Sequence, residues 1–197
     1  MYLISSWFLI WFASWSLFTF KVRWLFKQSP SKAYVIRGGY FISLFVFIYV
    51  YYYQLISPFT SQLIGATIIS ILIGLWIRFN RTLYINVKKD KDFFAWQAFN
   101  VLFQQAMILI GILMLRIIFK ENYQNYHFGI IFFLGHLPIL FLPWAKLKTI
   151  YIFYSLFAGI IFSYLINNYH YGLVISFVLH YLAYVLLIYY VKDEEKI

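Results

Sequence analysis

Six amide and imidazole side chains interrupt long apolar stretches of this sequence. They are Gln97, Asn100, Gln104 and Gln105 within one stretch, and His136 and His180 within two others. An imidazole titrates near neutral pH and can therefore move a proton, whereas an amide only donates and accepts hydrogen bonds. Inside a hydrocarbon layer each of these groups needs a protein partner or a ligand, because no water is there to bond with it. They are the candidates for a buried site that binds or hydrolyses a polar group.

The positions of three of these residues predict that they reach the same depth. If each stretch is a helix rising about 1.5 Å per residue, Gln104 lies roughly 15 Å from an end of its own, His136 roughly 12 Å and His180 roughly 14 Å. All three depths are close to the midplane of a bilayer whose hydrocarbon layer is about 30 Å thick. Separate helices would thus bring amides and imidazoles together, with Gln104, Gln105, His136 and His180 as the site residues.

Three further residues lie one helical turn from a site residue and are expected to support it. They are Asn100 before Gln104, Phe132 before His136, and Tyr184 after His180. A structural role stays open for all of them, since buried amides often join neighbouring helices and a buried histidine is often simply hydrogen-bonded in the core. Two histidines with no carboxylate or thiolate beside them make a poor metal site, so we expect no metal and no cofactor.

The composition indicates the surroundings of these residues. Of 197 residues, 64% are hydrophobic and only 11% are charged, which is too few polar groups to cover the exterior of a soluble domain of this length. We therefore expect an all-α, polytopic membrane protein whose main partner is the lipid bilayer. The net charge of +10 does not indicate nucleic acid, because the cations lie in short loops between apolar segments.

About seven segments are long and apolar enough to be transmembrane helices. They cover residues 3–20, 38–57, 61–79, 94–116, 128–143, 149–166 and 171–191, and the fifth is expected to kink or end early at its prolines. Of the 16 Lys and Arg residues, all except Arg116 and Lys120 fall on one side of this arrangement, beginning with the loop 21–37. The positive-inside rule then predicts a plasma (inner) membrane protein with its N-terminus outside and its C-terminus in the cytoplasm.

Two stretches in the second half resemble a family of membrane proteases. They are FFLGHLPILFLP (132–143) and FAGIIFSYLINNYHYGLVISFVLHYLAYVLL (157–187). The family is that of the CAAX prenyl endopeptidases and bacteriocin-processing enzymes, also called CAAX protease self-immunity or type II CAAX endopeptidase proteins. Its signatures are Glu-Glu-x-x-x-Arg, Phe-x-x-x-His and His-x-x-x-Asn on successive helices. Phe132 and His136 match the second signature, and His180 matches the histidine of the third.

The chain departs from these signatures at the residues that carry the chemistry. Gln104 and Gln105 stand where the family has its glutamate pair, Leu109 where it has arginine, and Tyr184 where it has asparagine. The resemblance implies that a glutamate of the family activates water, while the histidines and the asparagine bind water or stabilise the oxyanion. An amide cannot accept the proton of a water molecule, so it would preserve the shape of such a site without its basicity.

The resemblance implies a CAAX-protease-like bundle in residues 94–191, with N-terminal helices and basic loops in 1–93 before it and a cytoplasmic tail, 192–197, after it. The implied activity is hydrolysis of prenylated or membrane-associated peptides, with a histidine in place of the glutamate. Two alternatives stay open: a non-catalytic protein that binds such peptides in the same cavity, and a small transporter. The transporter is the least favoured, because none of the six Asp and Glu residues lies within an apolar segment.

Overall fold

The computed structural model describes residues 2–17, 30–79, 91–141 and 148–190. In these ranges the chain is almost entirely helical and has no β-strand, so the predicted all-α class is confirmed there. The α-helices are α1 (Tyr2–Leu17), α2 (Pro30–Tyr51), α3 (Tyr53–Ile56), α4 (Thr60–Phe79), α5 (Lys91–Phe119), α6 (Asn125–His136), α7 (Lys148–Asn168) and α8 (Gly172–Tyr190). Short 3-10 turns follow α3, α5 and α6, at Ser57–Phe59, Lys120–Asn122 and Leu137–Phe141.

Three helical stretches in the described ranges are long and apolar enough, by length and composition, to cross a membrane. They are Tyr53–Ile73, Gln97–Asn122 and Thr149–Asn168, while Ile4–Ser14, Ile36–Tyr51 and Gly172–Ala183 are apolar but shorter. Large apolar side chains also point outward from the bundle: Leu9 is 71% exposed, Val50 68% and Phe157 61%. An apolar exterior of this extent needs an apolar environment or a partner to cover it.

Helix α5 forms the centre of the bundle, and α1, α2, α4, α7 and α8 pack around it. From Val101 to Ile112 every residue except Gln104 is buried. A helix that is apolar on all sides is stable when it is covered on all sides, which explains the central position of this segment. The hydrophobic core around α5 draws on both predicted segments, 1–93 and 94–191. That division of the chain stays a prediction.

Helices α6 and α7 approach each other closely through two glycines. A Cβ atom built on Gly159 would lie 2.9 Å from the Cα of Gly129 and 3.0 Å from the Cβ of Phe132. Small residues allow two helix backbones to come this near. The close approach holds Phe132 against α7, and with it the end of α6 that carries His136.

Helix α6 ends early, as the two prolines in its segment predict. Its last residue is His136, and the 3-10 turn Leu137–Phe141 follows directly. Pro138 lies in this turn, where it lacks the N–H that a continuing α-helix would use. His136 is therefore at the end of a helix and partly exposed, rather than in the middle of one.

The structure corrects the predicted loop 21–37 at its C-terminal end. Helix α2 begins at Pro30, a residue type favoured in the first turn because its fixed φ suits the helix and no N–H is needed there. Arg37 consequently lies within α2. It is buried, and its guanidinium donates a hydrogen bond to Oε1 of Gln97 on α5. Arg37 is thus a cation of the interior and not a loop residue.

Candidate functional site

Three polar side chains join α5 to α8 in the interior of the bundle. The amide Nε2 of Gln105 donates a hydrogen bond to Oγ of Ser176, and Nδ1 of His180 lies 3.3 Å from Oε1 of the same amide. Ser176 and His180 are four residues apart, so they project from one face of α8. All three residues are buried. One amide of α5 therefore holds both polar groups of α8.

The hydrogen bonds in this group fix where each proton lies. Oγ of Ser176 donates to the carbonyl oxygen of Leu173 at 2.9 Å, so its lone pairs accept from the NH2 group of Gln105. The amide oxygen of Gln105 then faces His180, and such an oxygen can only accept. Nδ1 of His180 must carry the proton, which leaves the lone pair of the neutral imidazole on Nε2.

His136 has the same protonation pattern. Its Nδ1 lies 2.7 Å from the backbone carbonyl oxygen of Phe132, which can only accept, so the lone pair is again on Nε2. The ring of Phe132 is 4.4 Å from the imidazole between centroids, and that of Trp11 is 5.8 Å away. Aromatic side chains from α1 and α6 thus hold an imidazole that can accept a proton on Nε2.

Aromatic rings connect the two histidines. The ring of Phe162 on α7 lies 5.1 Å from the imidazole of His180 and 6.4 Å from the ring of Phe132, between centroids. Phe132 in turn contacts His136. His136, His180, Gln105 and Phe132 therefore lie in one region of the interior.

The neighbouring amide of α5 has different surroundings. Nε2 of Gln104 donates to Oδ1 of Asn100 at 3.1 Å, one turn earlier on the same helix, and Gln104 is only partly buried. Adjacent residues of an α-helix point about 100° apart, so two neighbouring amides cannot both face α8. Gln105 is the member of the pair that meets His180. The side chain of Tyr184 lies outside the described residues, and its contact with His180 stays a prediction.

Ser176 is absent from the predicted site residues, although a signal for it is present in the sequence. Ser176 lies four residues before His180, so both side chains are on one face of the helix. Its hydroxyl accepts the hydrogen bond that the NH2 group of Gln105 donates. A serine carries neither an amide nor an imidazole, so the predicted set of site residues did not contain it. As for metals, no group of three or more His, Cys, Asp or Glu side chains in the described part of the chain is placed to hold an ion.

Comparison with known proteins leaves the function of this region to be argued from its geometry. No family model, no curated protein and no solved structure matches the chain. The function of this region is therefore inferred from the hydrogen bonds, the burial and the protonation of its residues.

We expect Gln105 and Ser176 to be energetically coupled across the interface of α5 and α8. In a double-mutant cycle of Gln105→Leu and Ser176→Ala, measured by unfolding in detergent, the coupling free energy should be about 0.6–2 kcal/mol. Ser155→Ala provides the matched control, since Ser155 is a buried serine that donates to a carbonyl of its own helix, Ile152, at 2.6 Å. A coupling no larger than that of the control pair would show that the Gln105–Ser176 hydrogen bond contributes nothing.

Proposed function

We propose that the chain is an integral membrane protein with its N-terminus outside and its C-terminus in the cytoplasm. Three observations support this: helices long and apolar enough to cross a membrane, apolar side chains on the outward faces, and an uneven distribution of cations. In this arrangement α1, α2 and α4 to α8 are the seven spans. Arg116 and Lys120 then lie on the outer side.

We further propose that the region around the two histidines hydrolyses peptide bonds in prenylated or other membrane-associated peptides, as a CAAX-protease-like enzyme. The observation that carries this proposal is that Nδ1 of each imidazole faces an oxygen that can only accept a hydrogen bond, so the proton is inferred to lie on Nδ1 and the lone pair on Nε2. A general base needs a lone pair and a group that orients it. Gln105 orients His180 in this way, and the backbone carbonyl of Phe132 orients His136.

The proposed reaction uses one water molecule and both imidazoles. A water molecule has two protons to donate, and Nε2 of His136 and Nε2 of His180 are two acceptors. We assign His136 as the base because it is partly exposed, whereas His180 is buried and orients the water. His136 takes a proton while the water oxygen attacks the carbonyl carbon of the peptide. The C–N bond then breaks, and the imidazolium returns the proton to the leaving amine.

A second candidate function is binding of the same peptides without hydrolysis. Gln105 favours it, because the resemblance puts this amide at a position of the glutamate pair, and both ends of the amide are engaged by Ser176 and His180. An amide cannot take over the role of a basic carboxylate. The histidines would then serve as hydrogen-bonding groups for the bound peptide.

Hydrolysis of a quenched fluorescent peptide with a farnesylated C-terminal cysteine motif distinguishes the two functions. With purified protein in nanodiscs, we expect His136→Ala to lower the rate by about 10²–10⁴-fold, the usual effect of losing a general base. His180→Ala should lower it as well. His170→Ala is the matched control, because His170 is exposed in the turn between α7 and α8, and its rate should equal that of the unmodified protein.

The results of these hydrolysis and binding experiments distinguish the two functions. Hydrolysis that survives both His136→Ala and His180→Ala would contradict the catalytic assignment. If the folded protein shows no hydrolysis, while saturable binding of the same peptide weakens in the two variants and not in His170→Ala, the second function is correct. Absence of both hydrolysis and binding would contradict both functions.

A further inference from the structure

A second polar region lies at the end of the bundle where α5 ends, α6 begins and α7 ends. It is a cavity of about 260 Å³, lined by Arg116, Lys120, Tyr123, Asn125, Asn167 and two further amides. Arg116 is roughly 16 Å from Gln105 along the axis of α5. The cavity is therefore separate from the region of the two histidines, and the proposed function does not use it.

The wall of this cavity is held in place by a chain of hydrogen bonds between α6 and α7. Ser163 donates to Oδ1 of Asn125 at 2.9 Å, and Nδ2 of Asn167 donates to the same oxygen at 3.1 Å. The hydroxyls of Tyr123 and Ser163 are 2.5 Å apart, and since the proton of Ser163 goes to Asn125, Tyr123 is the donor of this pair. The side-chain oxygen of Asn125 thus accepts hydrogen bonds from two donors within the wall. Its NH2 group is the part of this side chain that can donate to a ligand.

The remaining groups of the wall also favour an anionic ligand. Nη1 of Arg116 lies 3.3 Å from Oδ1 of Asn167, so this second amide oxygen is engaged as well. Burial raises the pKa of Tyr123, which keeps its hydroxyl protonated as a donor. Glu121 is exposed and does not line the cavity. The lining that the structure describes therefore presents two cations and N–H donors, and the side-chain oxygens of Asn125 and Asn167 already accept hydrogen bonds within the wall.

Lys120 has an unusual backbone conformation at the edge of this cavity. Its φ is 49°, the only positive φ of a non-glycine residue in the described ranges. The left-handed position after a helix end usually holds glycine, because the Cβ of any other residue is crowded there. A strained residue is retained where the surrounding structure or its function requires it. Here the conformation keeps a lysine, rather than a glycine, beside the cavity.

We propose that Arg116 and Lys120, together with the NH2 group of Asn125, bind a phosphate group, carried by a phospholipid headgroup or free in solution. A phosphate offers several acceptor oxygens and a negative charge, which the fork of an arginine and the ammonium of a lysine both match. The cavity lies at the end of the bundle that we assign to the outer membrane surface, where headgroups are also present. The competing explanation is that both cations only stabilise the C-terminal end of α5.

Thermal unfolding of the full chain in phosphate-free detergent tests this proposal, because a ligand that binds the folded state raises the unfolding temperature. The two probes are inorganic phosphate and dihexanoyl phosphatidylglycerol below its micelle concentration, each added at constant ionic strength. We expect a saturable rise in the unfolding temperature of the unmodified protein. For Arg116→Gln combined with Lys120→Gln, the midpoint, which is the probe concentration that gives half of this rise, should be at least about tenfold higher. Lys91→Gln, at the opposite end of α5, is the matched control and should leave the midpoint unchanged.

A second variant tests whether the two cations act only by stabilising the C-terminal end of α5. Arg116→Lys keeps the charge in the last turn of α5 but removes the bidentate fork, so its midpoint should rise by about threefold while its unfolding temperature without probe stays the same. Saturation by the lipid alone would identify a headgroup, and equal midpoints for both probes would identify phosphate itself. The proposal is overturned if neither probe gives saturation, or if the double variant has the midpoint of the unmodified protein.

Discussion

Gly172→Ala is expected to lower the free energy of unfolding by about 3–5 kcal/mol, the range of the most disruptive single substitutions. A Cβ atom at Gly172 would lie 1.9 Å from the carbonyl oxygen of Leu165 and 2.9 Å from the Cα of Ile166. These atoms belong to the backbone of α7, so no change of side-chain rotamer relieves the overlap. The turn from α7 to α8 would have to open.

Opening this turn should also change the region of the histidines. Gly172 begins α8, and both Ser176 and His180 lie on that helix within reach of Gln105. We therefore expect Gly172→Ala to lower the proposed peptide binding or hydrolysis together with stability. Gly39→Ala is the matched control, because Gly39 is helical and a Cβ there meets nothing within 4 Å. Equal unfolding temperatures for the two variants, measured in the same detergent, would contradict the close approach at Gly172.

Trp7→Ala should lower the free energy of unfolding by about 3–5 kcal/mol, as large-to-small core substitutions of aromatic residues do. Trp7 is 1% exposed, it stacks on Trp11 at 5.4 Å between ring centroids, and its Nε1 donates to the carbonyl oxygen of Met107 at 2.7 Å. Its ring fits against α5 because residue 111 is glycine, where a Cβ would approach the ring to 3.2 Å. The substitution removes both the packing and the hydrogen bond that attach α1 to α5.

Two other substitutions on α1 separate the contribution of the hydrogen bond from that of the packing. Trp7→Phe keeps most of the packing and loses the N–H donor, so it should cost only about 1 kcal/mol. Leu9→Ala removes a side chain that is 71% exposed and points away from α5, and its unfolding temperature should be nearly that of the unmodified protein. If Leu9→Ala destabilised the protein as much as Trp7→Ala, the packing face of α1 described here would be wrong.

The positions of the helices could be predicted from the sequence, whereas their rotations could not. Apolar length alone locates α5, and the prolines after His136 predict the end of α6. Which of two adjacent amides meets an imidazole depends on how α5 is turned about its axis, and that angle is set by the packing of five other helices. For this reason Gln105 could not be distinguished from Gln104 before the structure was known.

Three important residues, Arg37, Ser176 and Gly172, could not be predicted because their role depends on contacts that only the folded structure shows. Arg37 follows a cluster of basic residues, which predicts a loop, although Pro30 starts the helix before it. Ser176 is a small hydroxyl whose importance depends on a contact across the interface of α5 and α8. Gly172 is necessary because of an approach between α7 and α8 that only the folded backbone makes visible.

The aromatic and imidazole groups around the candidate site come from helices that are far apart in the sequence. Trp11 on α1 contacts His136, while His180 is on α8 and is joined to His136 through Phe132 and Phe162. Since synthesis proceeds from the N-terminus, α1 is made before α8, and this set of contacts can form only after α8 has been made. A translation product that stops before α8 would carry His136 without His180, so it would lack the proposed activity.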